Sequence, residues 1–107
     1  MSDVRLIKRI IEEHFAEIHS IKDIARFTES SPESIRKEFF RAEHITLGVF
    51  IRTKKAEEAK RLLLRTNNTC KSVAQAIGCS RLDVASRMFQ RLIGQTMTDF
   101  RKAVRKK

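Results

Sequence analysis

From Thr46 to Arg65 the chain reads Thr-Leu-Gly-Val-Phe-Ile-Arg-Thr-Lys-Lys-Ala-Glu-Glu-Ala-Lys-Arg-Leu-Leu-Leu-Arg, interrupted by no proline and only by Gly48 in what would be a first helical turn. Thr46 offers an N-cap hydroxyl. Phe50, Ile51, Ala59, Leu62 and Leu63 mark a buried side, while Arg52, Lys54, Lys55, Lys60 and Arg61 are left for solvent or phosphate. The spacing predicts one helix from Leu47 to Arg65, roughly 28 Å long at 1.5 Å per residue.

What flanks this helix is a repeat. Ile21-Lys-Asp-Ile-Ala25 matches Cys70-Lys-Ser-Val-Ala74 at an offset of 49, and Ile35-Arg-Lys-Glu-Phe39 matches Ala85-Ser-Arg-Met-Phe89 at an offset of 50. The slip of one residue falls in a turn, where insertions are tolerated. In the first copy, Ser20 with Asp23 is close to a capping box and starts a short helix from Ile21 to about Thr28. Glu29-Ser30 forms a turn, and Ser31-Pro32 gives an N-cap with proline at the first helical position of a longer helix carrying Ile35 and Phe39. In the second copy, Asn67-Asn-Thr69 breaks the long helix, and a helix with Val73, Ala74 and Ile77 closes on Gly78. Ser80 with Asp83 opens the next, expected to bury Val84, Met88, Phe89, Leu92 and Ile93 before Gly94. Thr96 with Asp99 opens a last helix with Phe100 and Val104, and Val4, Ile7, Ile11, Phe15 and Ile18 predict a first one. Short helix, tight turn and longer helix make a helix-turn-helix. The fold class expected is therefore all-α: two helix-turn-helix subdomains joined by a long linker helix, seven helices in all, divided as 1–45, 46–66 and 67–107, the last ending in a basic tail from Arg101 to Lys107 with five basic residues in seven.

Composition narrows the function. The 107 residues carry 23 Lys and Arg against 13 Asp and Glu, a formal charge of +10, which attracts a polyanion before any specific contact forms. No apolar run is long enough to span a bilayer and no signal-peptide core follows the start, so a cytoplasmic protein without membrane attachment is expected. Cys70 and Cys79, nine residues apart, fit neither a redox pair nor a zinc site and are expected to be small buried residues with reduced thiols. His14, His19 and His44 form no ligand set, so neither metal nor cofactor is expected. No nucleophile elbow, phosphate loop or paired-acid motif suggests an enzyme. Phe39, Phe50, Phe89 and Phe100 fall on apolar helical stripes and are expected in the core rather than as stacking platforms.

The same residues resemble the DNA-binding domain of the AraC/XylS transcription regulators. The resemblance rests on Ser20-Ile-Lys-Asp-Ile-Ala25, Ser31-Pro32 with Phe39, Phe50-Ile-Arg52 with Ala59 and Leu62-Leu63, Val73-Ala74, Ile77-Gly78 and Ser80. Its most specific stretch is Ser86-Arg-Met-Phe-Gln-Arg91, followed by Gly94, Thr96 and Asp99-Phe-Arg101. It implies a bacterial activator that binds promoter DNA and contacts RNA polymerase. Carried over by position, it implies base reading by Glu33, Arg36 and Lys37 in the first unit and by Leu82, Asp83 and Arg87 in the second. Arginine and lysine donate to guanine O6 and N7, an acid accepts from cytosine N4, and leucine can touch only a thymine methyl. Glu33 and Asp83 also sit where a helix start favours an acid. Phosphate contacts are expected from Ser31, Arg41, Arg52, Lys54, Lys55, Ser80, Arg81, Ser86 and Arg91. The chain departs from the family pattern at Glu29 and His44, where glycine is usual, at Cys79 and Ala85, where larger aromatics are, and at Met97, where proline is common.

Successive major grooves on one face of B-DNA lie about 34 Å apart. A linker of roughly 28 Å plus the offset of each unit from its ends suits two recognition helices on one duplex face, read by a monomer at an asymmetric site. The competing expectation is a basic helical adaptor that docks on an acidic protein partner, its charge serving to steer association. RNA is disfavoured for want of an aromatic pair on a sheet.

Overall fold

The structure, a computed structural model, describes residues 4–105, and every regular element within them is a helix. Met1, Ser2, Asp3, Lys106 and Lys107, and with the last two the end of the basic tail, lie outside the described residues. Seven helices follow in order: α1 (Val4–His14), α2 (Ile21–Thr28), α3 (Pro32–Glu43), α4 (Leu47–Arg65), α5 (Cys70–Ala76), α6 (Leu82–Ile93) and α7 (Met97–Arg105). The chain divides into two compact units within α4, unit 1 ending at Lys54 and unit 2 beginning at Lys55. The three expected segments are thus organised as two units that share the linker.

Unit 1 buries Ile7, Ile10, Ile11, Ile18, Ile24, Ile35, Phe39, Leu47 and Ile51 in one core. Helix α1 packs on α2 and α3, and the Phe39 and Phe50 rings, 5.2 Å apart and tilted by 60°, tie α3 to α4. Helix α1 ends at His14 rather than running to Ile18: the Glu17 and Ile18 amides bond back to the carbonyls of His14 and Phe15 in a turn. Ile18 is still fully buried. Its place in the periodic pattern reflects burial, which does not require it to be helical. At the start of α2 the Asp23 carboxylate accepts from the amides of Ser20 (3.2 Å) and His19 (2.9 Å). Ser31 Oγ accepts from the Ser34 amide and so caps α3. Glu29 (φ 57°) and His44 (φ 62°) end α2 and α3 in the left-handed region. A side chain there crowds the following carbonyl, so these two turns are strained where glycine would be relaxed.

Unit 2 repeats the scheme with smaller residues. Ala59, Leu62 and Leu63 of α4 are buried with the same spacing as Ile7, Ile10 and Ile11 of α1, so the second half of α4 does for unit 2 what α1 does for unit 1. Val73, Ala74, Ile77, Ala85, Phe89 and Met97 are buried with them, and the Phe89 and Phe100 rings meet edge-on at 5.7 Å. Phe50 and Phe100 are half-buried, unlike Phe39 and Phe89. Gly78 and Gly94 take the left-handed positions at φ 86° and 87°. The hydroxyls of Thr69 and Thr96 accept from the amides of Ser72 and Asp99, as expected of N-caps.

Three expectations change in unit 2. Helix α6 starts at Leu82 with Arg81 at its N-cap, so Ser80 and Asp83 do not form a cap together. Val84 is 48% exposed, lying about 100° round the helix from buried Ala85, and Leu92 in the last turn is also exposed. Cys70 and Cys79 are free thiols, half-buried rather than buried.

Candidate nucleic-acid interface

The buried stripes of α3 and α6 fix what their other sides present. Ile35 and Phe39 anchor α3 in unit 1, and Ala85 and Phe89, fifty residues on, anchor α6 in unit 2. Glu33, Arg36, Lys37 and Arg41 on α3, and Leu82, Asp83, Arg87 and Arg91 on α6, are accordingly exposed. Each helix carries an acid and a cation one turn apart: Lys37 Nζ lies 3.6 Å from Glu33, and Arg87 Nη2 lies 3.7 Å from Asp83. Exposed pairs of this kind are worth little in water, so both cations can be surrendered to a stronger anion at small cost.

The second unit adds a fork. Arg81 donates through Nε and Nη2 to both oxygens of Asp83, each at 3.1 Å. Partial desolvation raises the Asp83 pKa, but the neighbouring Arg81 charge and its hydrogen bonds outweigh this and hold the carboxyl below its usual range. Asp83 is thus a carboxylate clasped by two arginines, which sets where Arg81 and Arg87 point.

The expected phosphate contacts divide by environment. Ser31, Arg41, Arg52, Ser80, Arg81 and Arg91 are exposed and Ser86 is half-buried. Lys54 is turned inward, 3.5 Å from Glu12 and over the Phe50 ring at 5.4 Å. Lys55 is only 7% exposed, which corrects its expected place on the solvent side of α4: its long aliphatic stem lets it lie on the buried stripe. Arg101, read as part of the basic tail, is instead structural. Its Nε donates to the Leu63 carbonyl (3.1 Å) and its Nη2 to that of Thr66 (3.3 Å), closing the C-terminal end of α4. Phe40, which has no assigned role in the sequence pattern, is 52% exposed on α3, one turn beyond Arg36. Its position next to buried Phe39, about 100° off the core stripe, was the available signal.

Among the described residues, no cluster of His, Cys, Asp and Glu could hold a metal ion, and no helix is long and apolar enough to cross a membrane. Two helix-turn-helix units, each exposing basic side chains on its second helix, define a class of all-α nucleic-acid-binding regulators. A family model described as a helix-turn-helix domain matches residues 24–103, and the chain belongs to this family of AraC-type DNA-binding transcription regulators. Among curated proteins it is similar to the bifunctional transcriptional activator/DNA repair enzyme AdaA of Bacillus subtilis (strain 168), 28% identical over 98 residues, which are 92% of this chain and 46% of that protein. The chain therefore spans about half the length of that relative. Among solved structures it resembles the C-terminal domain of AraT, a response regulator from Geobacillus stearothermophilus (TM-score 0.89, 22% identity, 94% of this chain and 84% of that one). It also resembles the DNA-binding domain of AdpA, a global transcriptional factor solved in complex with a target DNA (TM-score 0.88, 19% identity, 98% and 95%). At these identities the structures speak for the shared fold.

Proposed function

We propose that the chain reads a specific double-stranded DNA site as a monomer and activates transcription there, inserting α3 and α6 into successive major grooves and contacting RNA polymerase. The observation that carries this reading is the matched pair of exposed cation-bearing helices, with Lys37 and Arg87 at equivalent positions in two units that share one uninterrupted α4. The length of that helix, about 28 Å, is commensurate with the roughly 34 Å between major grooves on one face of a duplex. Arg36, Lys37 and Arg87 supply donors for guanine, Leu82 an apolar contact for a thymine methyl, and Glu33 and Asp83 acceptors for cytosine. Ser31, Arg41, Arg52, Ser80, Arg81, Ser86 and Arg91 set the register on the phosphates.

Selecting bound duplexes from a random pool tests this directly. The expected outcome is an asymmetric motif, protected over about two helical turns by one monomer, with affinity falling steeply as salt rises. Arg87→Ala then reduces discrimination between the selected site and random DNA by about 1 to 3 kcal/mol. A palindromic requirement contradicts the monomer reading, and no duplex affinity at low salt contradicts DNA binding itself.

A further inference from the structure

Within unit 1, between the exposed side of α3 and the start of α4, lies an open groove of about 830 Å³. Its apolar lining comes from Ile21, Phe40 and Leu47, and its cations are Arg36, Lys37, Arg41 and Arg52, with no carboxylate among the lining residues. Gly48 contributes by what it lacks. A Cβ there would stand 3.3 Å from Arg52 Nη1, so glycine leaves the Arg52 guanidinium room to fold back over the first turn of α4.

This combination exceeds what a sugar-phosphate backbone needs. Guanine edges and phosphate oxygens would satisfy the cations but offer the Phe40 ring no more than a thymine methyl, leaving most of it in water. An occupant that satisfies both has an apolar body and an anionic head, and the volume lies in the range of small-molecule sites, roughly 300 to 1,000 Å³. Guanidinium groups receive a planar carboxylate, or a sulfonate, through paired hydrogen bonds. The repeat supplies an internal control: fifty residues on, Ser86, Gln90 and Thr98 stand where unit 1 has Arg36, Phe40 and Gly48, so unit 2 lacks the ring, one cation and the glycine.

We propose that this groove of unit 1 binds an amphipathic organic anion, an aryl or alkyl carboxylate or sulfonate, and that its occupancy excludes duplex DNA from α3. The exclusion rests on the proposed base-reading role of Arg36 and Lys37, which line the groove; the site itself does not. The test titrates the full chain, labelled with nitrogen-15, with 1-anilinonaphthalene-8-sulfonate and follows the amide resonances. Shifts are expected to gather at Phe40, His44, Gly48 and Arg52 and to stay small at Gln90, Gly94, Thr98 and Lys102. Phe40→Ser is expected to weaken binding about tenfold, since it removes the main aromatic contact. An unchanged thermal melt shows that this variant is folded, as expected for a side chain half in solvent. The uncharged N-phenyl-1-naphthylamine should not bind. Shifts spread over both units, equal binding of the uncharged analogue, or unchanged affinity in folded Phe40→Ser would each overturn the site. A saturating probe should also weaken duplex binding. Simultaneous binding of probe and duplex overturns the exclusion, whereas probe binding in the groove with no duplex affinity at low salt overturns the DNA reading and leaves the site standing.

Discussion

Equivalent positions of the two units, 49 to 52 residues apart, meet the same demands with different chemistry. Where unit 1 buries Ile35 and Leu47, unit 2 buries Ala85 and Met97, and the isoleucines of α1 are answered by Ala59, Leu62 and Leu63. Where unit 2 turns on Gly78 and Gly94, unit 1 turns on Glu29 and His44 in the same left-handed conformation. Ile51 lies in the core of unit 1, while Arg101 at the matching position of unit 2 reaches back to two carbonyls of α4. A larger aliphatic core thus accompanies two strained turns in one unit, and relaxed turns accompany a leaner core and a polar clamp in the other. The shared architecture is held by apolar volume in the first case and by backbone conformation and hydrogen bonding in the second.

The largest expected effect breaks the core side of this contrast. Ile35→Ala, which gives unit 1 the residue that unit 2 already tolerates, should cost about 2 to 5 kcal/mol in chemical denaturation. The reciprocal Ala85→Ile should cost about 1 to 3 kcal/mol by overpacking. A loss well under 1 kcal/mol for Ile35→Ala would show that the two cores are interchangeable. Next is the clamp: Arg101→Ala should cost about 1.5 to 3 kcal/mol, and Arg101→Lys should not restore it, because an ammonium lacks the fork that spans both carbonyls. The turns come third and carry opposite signs. His44→Gly should stabilise by about 1 kcal/mol by relieving left-handed strain, whereas Gly94→Ala should destabilise by a similar amount.

The smallest effect concerns pH. The Asp23 carboxyl is held below its ordinary range chiefly by the hydrogen bond from the His19 amide; partial burial opposes this, and the Ser20 amide and the nearby Arg26 and His19 charges reinforce it. A folded-state pKa below the unfolded one means that this stabilisation is fully present above about pH 5 and disappears as pH falls through the lowered value. Melting temperature followed from pH 6 to pH 2 should therefore fall less in Asp23→Asn than in the parent chain. Equal declines would remove the cap of α2 from the comparison.

Much of this was legible because capping and turn residues act locally. Ser31-Pro32, Thr46 and Thr96 marked helix starts, Gly94 marked an end, and the unbroken run from Leu47 to Arg65 gave α4. Glu29 and His44 were recognisable as occupants of glycine positions, and the backbone takes the glycine conformation there. What escaped depends on neighbours distant in sequence. Lys55 looks like a surface residue because its charge hides an aliphatic stem, and Val84 looks like core because it falls four residues before Met88 and eight before Leu92 on an apolar stripe, although small Ala85 is the residue buried. Ile18 is buried from outside any helix, and Arg101 resembles tail until its carbonyl partners 38 and 35 residues earlier are seen. For the site, the i to i+4 acid and cation pairs of α3 and α6 could be read from spacing. The groove could not, since Phe40 and Arg52 come from separate helices.

Helix α4 gives Leu47 and Ile51 to one core and Ala59, Leu62 and Leu63 to the other. Melting one half would leave the other as a shorter helix with a new, uncapped end beside its core, so each unit loses stability when its neighbour unfolds. Heating should consequently produce a single sigmoid rather than two, with calorimetric and van't Hoff enthalpies in agreement. A flaw introduced beside Ile35 would then be felt as a lower melting temperature at Phe89, and loss of fold at one end would silence the whole molecule at once.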